Sequence, residues 1–222
     1  TTEPPGPRIQ PVYRVGRYSR FAPCEMADFM PVQRWVSFVS EHSLWAGTAL
    51  GAVHFSDEQI RLYTTDSLRT ARPELGVAFV LLPEGAENQV YDVYEDKVGQ
   101  MWFGLFNGNI LRYDIEAAES GAAMPWRFYT ADDGLSIGRS PRIAQTPDQI
   151  IWTVSRDAHG GVNRFDGQVW THFRLSEKNM PFNSNPSILV TRDGTLWVGG
   201  HWSNLYAYRN GSWTNYIGPD LA

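Results

Sequence analysis

Arg156, Asp157 and His159 stand within four residues of one another, and a histidine oriented by a carboxylate is the usual frame of a general base. No nucleophile elbow, phosphate-cradling glycine loop or metal-ligand spacing accompanies them, and Gly160-Gly161 reads as turn chemistry. Their types suit binding better than catalysis. Phe106-Asn107 and His201-Trp202-Ser203-Asn204 supply the same blend of aromatic, amide and charged groups, which orients polar ligands such as sugars. The candidate ligand-binding residues are therefore Phe106, Asn107, Arg156, Asp157, His159, His201, Trp202 and Asn204. Ordinary solvated loop chemistry accounts for the same residues without any ligand.

Other groups carry less. Asp96, Asp148 and Asp193 recur in turns before tryptophans. Calcium binding is one reading, but an aspartate bonding the amides of its own turn explains the placement with less. His42, His54 and His172 are scattered, so neither a metal site nor a cofactor is expected.

These loops need a frame, and the frame is a repeat. Trp45, Trp102, Trp152 and Trp197 sit in similar apolar surroundings, spaced 57, 50 and 45 residues apart. Nine residues before each stands an apolar residue: Val36, Val93, Ile143 and Ile188. After each comes a run ending on an aromatic, at Phe55, Tyr113, Phe165 and Tyr208. A further run follows the pattern apolar-x-x-aromatic: Ile60 to Tyr63, Trp126 to Tyr129, Trp170 to Phe173 and Trp213 to Tyr216. Alternation of this kind marks strands, and periods of about 40–50 residues mark propeller blades. Asp166-Gly167 and Asn210-Gly211 are the tightest turn signals, since a type I′ hairpin needs positive φ at both central residues.

The expected fold is an all-β propeller of four four-stranded antiparallel blades, at about residues 32–65, 88–130, 141–174 and 186–217. Residues 1–10 read as a proline-rich linker, and residues 11–222 as propeller. Residues 11–21 resemble the outer strands of a preceding blade, so the reading is a segment of a larger ring, with the first and fourth blades unsealed, and a self-closed domain of four or five blades is the alternative. Two segments break the pattern. Residues 66–87 are an overlong connection holding an extra strand at Val77 to Leu82, and residues 115–124 are an insertion. The four aligned tryptophans are expected to be inter-blade core, whereas Trp202 lies outside the set.

Composition agrees. Aromatics make up 14% of the 222 residues, which favours half-buried sheets. The net charge of −5 and the absence of Lys/Arg runs exclude a nucleic-acid footprint. The lone Cys24 excludes an internal disulfide. No apolar stretch approaches the length of a membrane span.

Asp96-x-x-Gly99-x-x-Trp102-Phe103-Gly104, Arg112-Tyr113-Asp114, Tyr129 to Leu135 and Arg192 to Gly199 resemble the two-component-regulator propeller repeat. The likeness covers about residues 32–221 and is weakest in the third repeat, where Val154 replaces a glycine. It implies the sensor region of a bacterial hybrid histidine kinase, periplasmic or extracellular, in seven-bladed rings that in some cases detect oligosaccharides. The function expected is a non-enzymatic module for sensing or for binding a carbohydrate or other polar ligand. A protein–protein scaffold and a propeller lyase similar to the streptogramin-inactivating kind are the alternatives. A protein partner or further blades are expected in either binding role.

Overall fold

The computed structural model describes residues 37–39, 43–56, 60–65, 77–87, 89–122, 124–136, 138–156, 161–175, 186–200 and 205–216. They form four separate sheets in chain order. The first holds β1 (Ser37–Val39), β2 (Ser43–Thr48), β3 (Gly51–Ser56), β4 (Ile60–Thr64) and β5 (Val77–Leu81). The second holds β6 (Val90–Glu95), β7 (Met101–Leu105), β8 (Ile110–Tyr113) and β9 (Trp126–Tyr129). The third holds β10 (Arg139–Gln145), β11 (Ile151–Arg156), β12 (Val162–Phe165) and β13 (Trp170–Phe173). The fourth holds β14 (Ser187–Val190), β15 (Leu196–Gly199), β16 (Leu205–Arg209) and β17 (Ser212–Asn215).

In every sheet four consecutive strands run as an up-and-down meander, the arrangement of a propeller blade. The first carries one more strand than the repeat requires. β5 lies parallel to β4, matching Ile60 with Val77 and Thr64 with Leu81. The expected extra strand is therefore present, and its connection is long because parallel neighbours need a crossover. The insertion after the third strand of the second blade forms a short helix, α1 (Ile115–Glu119), capped by the Asp114 carboxylate, which accepts from the Ala117 amide. The first and fourth sheets share no strand pairing among the described residues. The linker at 1–10, the outer-strand reading of 11–21 and Val36 fall outside them.

Successive blades are joined by rings. In a strand, alternate residues face opposite sides, so each blade shows one row to its predecessor and another to its successor. Trp45 packs against Tyr63 of its own blade at 4.9 Å, and Tyr113 and Trp126 of the second blade close on the pair, with Tyr63 5.4 and 5.8 Å from them. Trp102 and Tyr129 meet Phe165 and Trp170 of the third blade in the same way, with centroids 5.1 to 6.5 Å apart. Trp152 and Phe173 meet Tyr208 and Trp213 of the fourth. Three times, a second-strand tryptophan and a fourth-strand aromatic are enclosed by two rings from the next blade. Trp45, Trp102 and Trp152 are accordingly almost wholly buried.

Trp197 departs from the expectation that all four would be buried. It packs against Tyr216, with centroids 5.0 Å apart, but is only half-buried, because no further described blade covers its face.

Glycine two positions beyond the tryptophan permits the close approach. A Cβ on Gly104 would lie 2.7 Å from the Pro141 carbonyl oxygen, and one on Gly47 would lie 2.8 Å from that of Val90. Val154 occupies the matching position of the third blade and is fully buried.

Candidate functional site

At one end of the second and third blades the turn after β7 meets the start of β10 and the end of β11. The turn is tightly specified. The Phe106 amide donates to the Gln89 carbonyl at 2.9 Å, the Asn107 amide to Glu87 Oε2 at 2.9 Å, and the Asn109 amide to Asn107 Oδ1 at 3.1 Å. Gly108, at φ 96°, takes the left-handed conformation the turn needs. The Asn107 side-chain oxygen is thus bonded within its own loop.

The Phe106 ring packs on Tyr91, with centroids 5.6 Å apart, and carries the Arg139 guanidinium 5.5 Å from its centroid. Arg139 is paired directly across the strands with Arg156. Both arginines are exposed. Arginine side chains paired across strands present forked donors of the kind that bind an anion.

Of the eight sequence candidates, Phe106, Asn107 and Arg156 come together on this edge. Asp157, His159, His201, Trp202 and Asn204 lie outside the described residues. Sequence reasoning missed Arg139. Its only signal was a basic residue leading into a first strand, and the register irregularity between Arg139 and Arg142 hid its pairing.

A second polar centre links the first strands of the same blades. Asp92 is buried, its Oδ2 accepting from the Ile143 amide at 2.8 Å, with Arg142 3.6 Å from its Oδ1. Burial pushes its carboxyl up to about 6, opposed by the Ile143 amide and the Arg142 charge. His54 lies stacked on Trp45 at 4.2 Å, and burial, aided by the Arg61 charge, brings its imidazole down to about 4.

The turn aspartates are not equivalent. Asp96 Oδ1 accepts from the amides of Val98 and Gln100, and its Oδ2 accepts from Trp102 Nε1 at 2.8 Å. In the third blade Thr146 takes the place of that carboxylate, its Oγ1 accepting from Trp152 Nε1 at 3.1 Å. Asp193 sits two positions later in the turn, bonding Thr191 and the Thr195 amide. Among the described residues no cluster of three or more His, Cys, Asp or Glu side chains could hold a metal ion. No helix there is long and apolar enough to cross a membrane.

Residues 84–107, from the turn before β6 to the Asn107 loop, match the family model described as two component regulator propeller. This stretch is a repeat of that family. No curated protein matches the chain. Among solved structures, virginiamycin B lyase from Staphylococcus aureus superposes with a TM-score of 0.58 at 18% identity, over 86% of this chain and 57% of the lyase. The extracellular domain of the hybrid two component system BT3049 from B. thetaiotaomicron gives 0.55 at 15% identity, over 82% of this chain and 24% of that one. AztD from Citrobacter koseri gives 0.52 at 12% identity, over 82% and 45%. The chain spans little more than half the lyase and about a quarter of the BT3049 extracellular domain. At such identities the likeness is one of fold, and the fold is a β-propeller.

Proposed function

We propose that this chain is a ligand-binding propeller module of a bacterial signalling or surface protein, with no chemistry of its own. Its ligand is polar and carries an anionic group, as an acidic oligosaccharide does. The observation that carries this reading is the Arg139–Arg156 cross-strand pair beside the Phe106 ring. Two forked donors suit a carboxylate, and an aromatic face next to them suits the apolar face of a sugar ring. The propeller-repeat match at 84–107 and the fold shared with an extracellular sensor domain support a sensing role outside the cytoplasm. The fold shared with a lyase favours catalysis, but Asp92, a described carboxylate that burial pushes up to about 6, is bonded between two blades and does not line a cleft.

Calorimetric titration with a glucuronic acid oligomer, against a neutral glucan of equal length, tests the proposal. The acidic oligomer should bind, and Arg139→Ala or Arg156→Ala should each weaken it about tenfold, as loss of a charge-assisted hydrogen bond does. Equal binding of the neutral glucan, or none of the acidic one, would sink the reading.

A further inference from the structure

The outward face of the fourth blade presents half of a cage that is complete three times elsewhere. Trp197 and Tyr216 hold the spacing of the filled cages, at 5.0 Å against 4.9, 5.8 and 5.9 Å for Trp45–Tyr63, Trp102–Tyr129 and Trp152–Phe173. The surroundings differ. Tyr63 and Tyr129 are 1% and 4% exposed, whereas Tyr216 is 58% exposed and Leu189, on the same face, 62%. Small residues floor the space between, since Trp197 pairs with Ala207, and Ala207 with Thr214. The rim is polar and includes an Arg209–Asp193 ion pair at 3.3 Å.

We infer that this face is the docking seat of a further blade of the same repeat, continuing the array in the direction of the first three interfaces. The seat specifies its occupant. At each filled interface the next blade inserts a Tyr or Phe from the end of its third strand (Tyr113, Phe165, Tyr208) and a Trp from the start of its fourth (Trp126, Trp170, Trp213). The register that points Trp197 outward is the one that points Trp102 at Phe165. An exposed apolar patch with a polar rim is the usual mark of an interface, and here three copies of the finished interface stand beside it.

The test joins a second copy of residues 176–216 to the end of the full chain and reads tryptophan oxidation by mass spectrometry. In the unextended chain Trp197 should oxidise well ahead of Trp45, Trp102 and Trp152, and the added blade should bring it down to their level. An added blade with alanine at its copies of Tyr208 and Trp213 should give no protection. Failure of the first extension to protect Trp197, or equal protection by the alanine form, would overturn the inference. Protection of the unextended chain by raised concentration, or by added cellohexaose, would also overturn it, revealing a second copy or a sugar as the occupant. A check independent of the extension compares melting temperatures of the unextended variants. Trp152→Ala should lower the melting temperature by roughly 10 °C, and Trp197→Ala by only a small fraction of that. Equal losses would mean that Trp197 is already seated.

Discussion

Asp96 and Trp102 hold each other across a turn: one carboxylate oxygen accepts from the indole nitrogen at 2.8 Å while the other accepts two backbone amides. The carboxylate therefore shapes the hairpin and fixes the ring that the third blade closes upon. Asp96→Ala leaves a buried indole N–H and turn amides without their acceptor, and should cost about 2–4 kcal/mol. Asp96→Asn keeps one acceptor oxygen and should cost less. Urea denaturation of both variants checks the order, and an alanine form as stable as wild type would refute the account.

Gly104 is the point where the second blade admits the third. Gly104→Ala places a Cβ 2.7 Å from the Pro141 backbone oxygen, which no side-chain rotation relieves. The strain should cost about 1–3 kcal/mol, the usual range for overpacking. A chemical denaturation midpoint unchanged from wild type would show that the two blades can separate freely.

The turns before the second strands offer a substitution in the opposite direction. Gly99 and Gly194 adopt φ 83°, three residues before their tryptophans, and Gln149 is forced to φ 67° at the same place. Gln149→Gly relieves the left-handed strain, partly offset by greater freedom in the unfolded chain, for a net gain of about 0.5–1 kcal/mol. Thermal melting should show a rise, and a fall would mean that the Gln149 side chain contributes something its exposure conceals.

Asp92 and His54 should tilt the pH dependence in opposite senses. Folding raises the Asp92 carboxyl from 3.8 to about 6, so the native state keeps a proton that the unfolded chain releases, and stability falls as pH rises through that window. Folding lowers the His54 imidazole from 6.5 to about 4, so the unfolded chain binds the extra proton, and stability rises with pH between those values. His172 is lowered too, by burial and then the Arg174 charge, and acts in the same sense as His54. Asp92→Asn removes the falling contribution. Its urea midpoint should climb more steeply than that of wild type between about pH 4.5 and 6.5. Superimposable slopes would contradict the assignment.

The blades were legible because large aromatics in alternation have few places to go. The aromatic ends of the third and fourth strands stood in the sequence with the tryptophans, yet their meeting across blades could not be read, since it depends on which row faces which neighbour. Asn210-Gly211 forms the expected turn, with φ 50° and 83°. Asp166-Gly167 does not. Only Gly167 has positive φ, and the loop runs four residues from Phe165 to Trp170, with Asp166 Oδ1 accepting the amides of Gln168 and Val169. There the aspartate side chain replaced the backbone geometry that the dipeptide suggested. Thr146 escaped notice for a related reason: a hydroxyl does the work of the Asp96 carboxylate, so a search for repeated acids fixed on Asp148. At the candidate edge, a loop aromatic and a strand-end arginine could be picked out by type. Arg139 could not, because its importance comes from a pairing.

The aromatic cages also set the order in which the molecule comes apart. Each joins only consecutive blades, so cooperativity passes from neighbour to neighbour as along a one-dimensional chain. Releasing the second or third blade breaks two cages, whereas releasing the fourth breaks one. Native-state hydrogen exchange should therefore be slowest in β7 and β11 and fastest among these three blades in β16 and β17, with the fourth blade opening as a unit before the rest unfolds.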